Sequence, residues 1–314
     1  MPPPWDDEDG LLSDDLLEEQ EEWVEVGEEG VHGFRAALFS SQAAHYARFR
    51  PSYPEHIFNH IYDFAKAALG NEPGLGSREL ALDVGCGHGV VALELAKKYS
   101  KVVGVDASVH QLQHAHQGPT ISYLHAPCEA LSQHLPAQSV DLIAMAETLH
   151  WVDQQAFYEQ CRRILKPTGV LAIWCYDLNE FAPIGPHQTQ ATVDQANGLM
   201  QAHTYGTLGP YWDDRRQYID RRYRGLEPQT SVFRHCKHID NLSMEHIMSM
   251  DHFMGYLASW SPYAAYRATH PDRPDPLVEL RAQLKELLAV TDDAAPSLRL
   301  LWPVFFLLCK DPVQ

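Results

Sequence analysis

No stretch of this 314-residue chain is apolar for long enough to cross a bilayer. The most apolar run, Leu298–Leu308, is broken by Arg299 and Pro303 and falls far short of the roughly 20 residues that a spanning helix needs. The opening MPPPWDDEDG has neither a basic segment nor an apolar one behind it, so a secretory signal is not expected. Cysteine occurs six times, at 86, 128, 161, 175, 236 and 309, with no CxxC pair and no regular spacing. In a chain of this length that reads as reduced thiols in a reducing compartment, the cytoplasm. Basic charge is scarce, with 24 Lys and Arg against 42 Asp and Glu, so no basic face for a nucleic-acid backbone is expected. No G-x-S-x-G elbow is present, which removes the commonest signature of Ser-His-Asp hydrolysis.

What charge there is lies unevenly. Residues 1–30 carry thirteen acids and no Lys or Arg, leaving 29 acids against 24 bases for everything after Gly30. Residues 1–33 therefore read as an acidic, disordered tail, and residues 34–314 as the folded domain. Leu11, Leu12, Leu16, Leu17, Trp23 and Val24 are spaced so that the tail can form a short amphipathic helix against a basic protein partner. The composition after it, in a chain that is 45% apolar, is that of a globular protein.

From residue 79 to residue 177 short β-rich runs alternate with helical ones. Strands are expected at 80–85, 101–107, 121–126, 139–146 and 169–176, with helices at 55–69, 89–99, 109–116 and 154–165. Such alternation, with strands apolar on both faces, predicts an α/β fold built on a doubly wound, mostly parallel sheet. Two later runs, 231–239 and 298–310, complete seven strands. The segments 178–230 and 240–295 around them are rich in aromatics, His and Pro, and are expected to form a helical cap.

The first strand ends Leu82-Asp83-Val84-Gly85-Cys86-Gly87-His88-Gly89 and runs into a helix. Glycines there let the backbone turn sharply and approach a ligand at the helix start. A dinucleotide enzyme would show G-x-G-x-x-G, and Asp83 would set a carboxylate against the pyrophosphate. The same carboxylate suits a ligand with an amino group and a sulfonium charge. The second strand ends at Asp106, where an acid can accept hydrogen bonds from both hydroxyls of a ribose. Ligands in such sheets sit at the carboxyl ends of the strands, near the switch in strand order. That gathers Asp83, Asp106, the 126–129 turn and the 146–151 loop around one crevice. His110 and His114 stand one helical turn apart, but no acid or Cys lies near to complete a set, so no metal is expected.

With these residues in view the chain resembles the class I S-adenosylmethionine-dependent methyltransferases. LDVGCGHG, GVDAS, SVDLIAMAETLHWVD and LKPTGVLAIWCYD follow one another as that family's motifs do, over residues 79–177. AAHYARFRPSYPEHI, YWDDRRQYIDRRY and HFMGYLASWSPY are similar to the small-molecule branch that contains the trans-aconitate methyltransferases. His88 and Thr168 depart from the pattern, and the acidic tail is foreign to it. The resemblance implies a Rossmann-like fold and S-adenosyl-L-methionine as cofactor. It implies that Asp83, Gly85 and Gly87 hold the methionine portion, with Tyr46 closing over it and Arg50 as its ion partner. Asp106 and Ala107 would take the ribose side, Cys128 and Glu129 would flank the adenine, and Glu147 would complete the cofactor site. His150, in the crevice loop and of a type that titrates near neutrality, is the candidate catalytic group. Trp151, Tyr176, Tyr211, Trp212, Arg215 and Trp260 are the candidates for the acceptor side. Arg215 fits an anionic acceptor. The aromatics fit an apolar or planar one, and both stand. The activity expected is methyl transfer to a carboxylate or hydroxyl of a metabolite; the alternative is a methyltransferase-like binding or regulatory protein that uses its acidic tail as an arm.

Overall fold

The computed structural model describes residues 49–69, 78–185 and 187–313. Tyr46 and the acidic segment 1–33 lie outside the described residues. Helix α1, Glu55–Leu69, turns Ile57, Phe58 and Ile61 into the core, the spacing that its sequence announces. Five parallel strands follow: β1 (Leu80–Val84), β2 (Lys101–Asp106), β3 (Ile121–His125), β4 (Val140–Ala146) and β5 (Leu165–Tyr176). Between them run α2 (Val90–Leu95), α3 (Val109–Gln113) and α4 (Gln154–Ile164). The chain then adds β6 (Glu180–Ala182), β7 (Phe233–Ser249) and β8 (Pro296–Pro312). The strands lie in the order β3-β2-β1-β4-β5-β8-β6, with β7 paired to β8 and all three late strands joined antiparallel. This is a mostly parallel Rossmann-like sheet, and its order reverses between β1 and β4.

Both faces of the sheet are buried, and a period of two explains why its inner strands read as unbroken apolar runs. In β5, Val170, Ala172 and Trp174 face one core while Leu171, Ile173 and Cys175 face the other. In β8, Trp302, Val304 and Phe306 match the first set, and Phe305, Leu307 and Cys309 the second. The first face takes α1 and most of the helices added after β6: α5 (Gln190–Gln201), α7 (Met250–Ala258) and α9 (Pro276–Leu287). Helix α6 (Arg216–Asp220), whose Ile219 joins the second core, and α8 (Ser261–Thr269) are the other α-helices after β6. A hydrogen bond from Trp302 Nε1 to the Tyr256 hydroxyl, 3.0 Å, fastens α7 to the middle of β8.

Several boundaries differ from the sequence reading, among them α2, which stops at Leu95 rather than at 99, and β5, which begins at Leu165 rather than at 169. Strand β7 runs on to Ser249, so residues 240–249 belong to the sheet rather than the cap. Met244 and Met248 point inward there while Ser243, Glu245 and Ile247 point out, an alternation paired against β8 as far as Pro296. Helix α3 stops at Gln113, because the His116 N–H turns to the His88 carbonyl at 3.0 Å instead of continuing the helix. The short β6 beside β8 is an eighth strand. No helix of the described residues is long and apolar enough to cross a membrane.

Trp302 is fully buried and fills the junction of sheet and cap. Trp302→Ala should cost about 3–5 kcal/mol in urea denaturation, the usual range for emptying such a site. Val278→Ala, at a side chain that is 68% exposed on α9, should stay within about 0.5 kcal/mol. Equal losses would show that the cap does not depend on that contact.

Candidate active site

The turn from β1 into α2 is held from two sides. The N–H groups of Gly85 and Cys86 both donate to the Val105 carbonyl, at 2.7 and 3.1 Å, which binds the turn to β2. Gly85 has φ +68°, and a Cβ there would run into the Thr148 side chain, so only glycine fits between the two loops. Asp106, at the end of β2, accepts from Gly87 N and from Ser108 N, each at 2.8 Å. Each carboxylate oxygen keeps a second lone pair after these bonds, so a ligand hydroxyl can still be accepted. Burial raises the Asp106 pKa above the usual carboxylate range, against the lowering effect of those two N–H groups and of His125. Ser108, not Asp106, caps α3.

Asp83 lies beneath this turn, 1% exposed, with Oδ2 accepting from Ala92 N at 2.9 Å. Burial pushes its carboxyl up to about 8, the Ala92 bond pulls it down, and the Asp106 charge adds to the rise. Glu147 follows β4 in the left-handed region, φ +54°, which is uncommon for a residue with a side chain. Its N–H donates to the Trp174 carbonyl at 3.0 Å, and its Oε1 accepts from Tyr176 N at 2.6 Å. Burial pushes Glu147 up to about 7, opposed by the Tyr176 bond, the Cys175 thiol and the charges of Arg50 and Arg216.

Two cavities open at the carboxyl ends of the strands. The larger, about 340 Å³, is walled by Asp83, Gly85, Gly87, Asp106, Ala107, Cys128, Glu129 and Glu147, which the sequence had placed together, with Arg50, Tyr53, His88 and Gln111. The smaller, about 110 Å³, lies toward the cap and is walled by Trp151, Tyr176, Asp177, Trp212, Arg216, Tyr256 and Trp260 among others. Arg50, Glu147, Trp151 and Tyr176 belong to both walls.

Three expected site residues need correction. His150 lines only the smaller cavity, is 5% exposed, and has Nδ1 2.7 Å from the Tyr223 hydroxyl. Burial and then the charges of Arg216 and Arg215 push it down to about 3, so it is uncharged at neutrality and does not titrate there. Tyr211 and Arg215 line neither cavity. Tyr211 bonds His270 Nε2 at 2.7 Å, while Arg215 pairs with Asp213 at 2.9 Å and lies over the Trp151 ring. Gln111, Tyr53 and Arg216 were missed. Gln111 is buried in the wall with an Oε1 that meets no donor among the described residues, and a lone glutamine in a helix gives no sequence signal for that.

A methyltransferase domain model matches residues 82–173. A Dictyostelium discoideum protein named as a methyltransferase is 30% identical over 87% of this chain and 94% of its own length. A Saccharomyces cerevisiae protein described as an S-adenosylmethionine-dependent methyltransferase is 26% identical over 86% of this chain and 95% of its own. Among solved structures, a type II methyltransferase from Anaeromyxobacter dehalogenans superposes with TM-score 0.65 at 28% identity, covering 83% of this chain and 98% of that one. This chain belongs to the class I S-adenosylmethionine-dependent methyltransferases. The methyltransferase uses S-adenosyl-L-methionine, and the larger cavity fits that group chemically. The carboxyls of Asp83, Asp106 and Glu147, together with a Gln111 Oε1 that meets no donor among the described residues, present oxygens to a ligand that brings cationic and hydroxyl donors.

The raised Asp83 pKa makes the ligand-free methyltransferase sensitive to pH. Its folded value, about 8, exceeds the ordinary 3.8, so its contribution to stability is complete at acid pH and is lost as pH rises through the folded value. The melting temperature should therefore fall between about pH 4 and about pH 8 and level off above, and Asp83→Asn should flatten the fall, since Asn still accepts the Ala92 bond without acquiring charge. Parallel curves for the two proteins would assign the pH dependence to other groups.

Proposed function

We propose that this methyltransferase transfers a methyl group to a small-molecule acceptor bound in the smaller cavity. The observation that carries this reading is the shared wall: a ligand in either cavity meets one in the other across Arg50, Glu147, Trp151 and Tyr176. About 110 Å³ accommodates the reacting end of a small molecule. In this reading residues 34–314 form one domain, and the helices after β6 and β7 close over its site.

S-adenosylmethionine supplies an electrophilic methyl on a sulfonium, whose leaving group is already in place. What remains for the protein is to bind, orient and exclude water. Asp83, Gly85 and Gly87 would hold the methionine portion, and Asp106 and Ala107 the ribose. Cys128 and Glu129 would flank the adenine. On the acceptor side Trp212 and Trp260 support each other with ring centroids 5.5 Å apart, and Trp212 Nε1 donates to the Thr204 carbonyl at 3.0 Å. Both rings are therefore fixed before any acceptor arrives, which lowers the cost of orienting one.

Two variants separate the halves of the site. Asp106→Ala removes the ribose acceptor and the tie between the two loops, and should weaken S-adenosylhomocysteine binding by at least about tenfold in calorimetry. Trp212→Ala should leave that affinity within about threefold while transfer of labelled methyl to a small-molecule extract falls by about tenfold or more. Loss of cofactor affinity and activity in equal measure in Trp212→Ala would remove the smaller cavity as the acceptor site.

A further inference from the structure

The smaller cavity also selects the acceptor's chemistry, an inference that rests on the acceptor binding there. Its charged wall residues already answer one another. Arg216 pairs with Asp177 and Asp220, while Arg50 donates to the Tyr176 hydroxyl at 3.1 Å and lies over the Tyr256 ring. Asp213, also in the wall, pairs with Arg215. An anionic acceptor would enter a wall in which Arg216 is already paired and which also presents the carboxyls of Glu147, Asp177 and Asp213, so repulsion offsets the attraction it gains. A neutral acceptor enters without that penalty.

Glu147 stands where the methyl group must cross from one cavity to the other. Three features set it apart from a carboxylate that merely closes a turn. It adopts a left-handed backbone, φ +54°, although it is not glycine, and such positions persist only where the surroundings impose them. Its Oε1 is fixed by the Tyr176 N–H at 2.6 Å. It also keeps part of its surface open to the cavities while the Arg50, Cys175, Arg216, Tyr223 and Tyr256 side chains surround it. The other titratable candidate in this wall, His150, is held against Tyr223 with a basicity too low to take a proton at neutral pH.

We infer that the acceptor's reacting atom is the oxygen of a neutral hydroxyl compound, and that Glu147 is the group that takes its proton. The hydroxyl oxygen forms its bond to the methyl carbon as the carbon–sulfur bond breaks with both electrons left on sulfur. The hydroxyl proton passes to the Glu147 carboxylate and from there to solvent. The products are a methyl ether, S-adenosylhomocysteine and one proton, which balances. A carboxylate acceptor would need no such base. Burial supports the role by bringing Glu147 to about 7, near the pH at which a base works best.

The test uses the full chain with methyl-labelled S-adenosylmethionine and a deproteinised extract of small molecules as the acceptor pool. Label in neutral products that survive hot alkali supports a methyl ether. Label released by alkali as methanol marks a methyl ester, and label retained on a cation exchanger marks a methylated amine; either overturns the inference while leaving small-molecule transfer intact. No labelled product, with cofactor binding intact in calorimetry, overturns the small-molecule reading and this inference with it. At saturating cofactor, kcat should rise with pH through a single ionisation, displaced below the value near 7 of the ligand-free group by the cofactor's positive charge. Glu147→Gln, whose amide oxygen still accepts from Tyr176, should lower kcat about a hundredfold and abolish that ionisation, while S-adenosylhomocysteine affinity falls by far less than kcat. Equal loss of affinity and rate would make Glu147 a cofactor-holding group and overturn its role as base. Should that variant not fold, the product class and pH profile of the unaltered enzyme decide the matter alone.

Discussion

One carboxylate ties the donor side of this enzyme together. Asp106 accepts from Gly87 and from Ser108, so the loop after β1 and the loop after β2 share a single anchor. The Val105 carbonyl adds a second tie by taking the N–H groups of Gly85 and Cys86. With the first loop fixed, Gly85 lies against Thr148 so closely that no side chain fits, and the loop after β4 is located as well. The positions of Asp83, Asp106 and Glu147 around the larger cavity follow from these contacts. A parallel sheet whose order reverses between β1 and β4 leaves a crevice at that point. The ties decide which groups face into it.

The acceptor side rests on a different constraint. Strands β5 and β8 bury both faces, so they offer the late helices a rigid apolar wall on which to pack. Trp302 reaches from that wall to Tyr256, and Tyr256 in turn meets Trp260 at a ring distance of 5.6 Å for the first contact and 5.5 Å for the second. Trp260 meets Trp212. A chain of aromatic contacts thus runs from the middle of the sheet to the wall of the smaller cavity. Packing of this kind transmits position well, because close-packed interiors deform little.

These two constraints explain what could be read in the sequence. The donor side is written locally, in strand ends where an acid and small residues stand within a few positions of one another, and Asp83, Gly85, Gly87 and Asp106 were all legible there. All eight expected cofactor-site residues within the described part of the chain do line the larger cavity. The acceptor side is written in contacts between residues far apart. His150 looked titratable because nothing near it in sequence says otherwise; the hydroxyl that faces it belongs to Tyr223, 73 residues later. Arg215 looked like an anion's partner, yet Asp213 two residues before it takes that role. The extension of β7 was masked by polar residues on its outer face, because only every second position needs to be apolar. Gln111 gives no local sign at all.

The distribution of charge joins the two halves. Three carboxyls are kept from bulk water in the ligand-free enzyme, and burial raises the pKa of each. Such groups are costly to ionise alone and less costly beside a positive charge. A sulfonium cofactor in the larger cavity therefore favours ionised Asp83 and Glu147, while an acceptor arriving first would meet a Glu147 that is partly protonated near neutrality. Because Glu147 borders both cavities, the state that the cofactor favours on one side is the state in which a base is useful on the other. In the proposed reaction, order of binding, charge and chemistry are thereby linked through one side chain, whose N–H and carboxyl are both tied to β5.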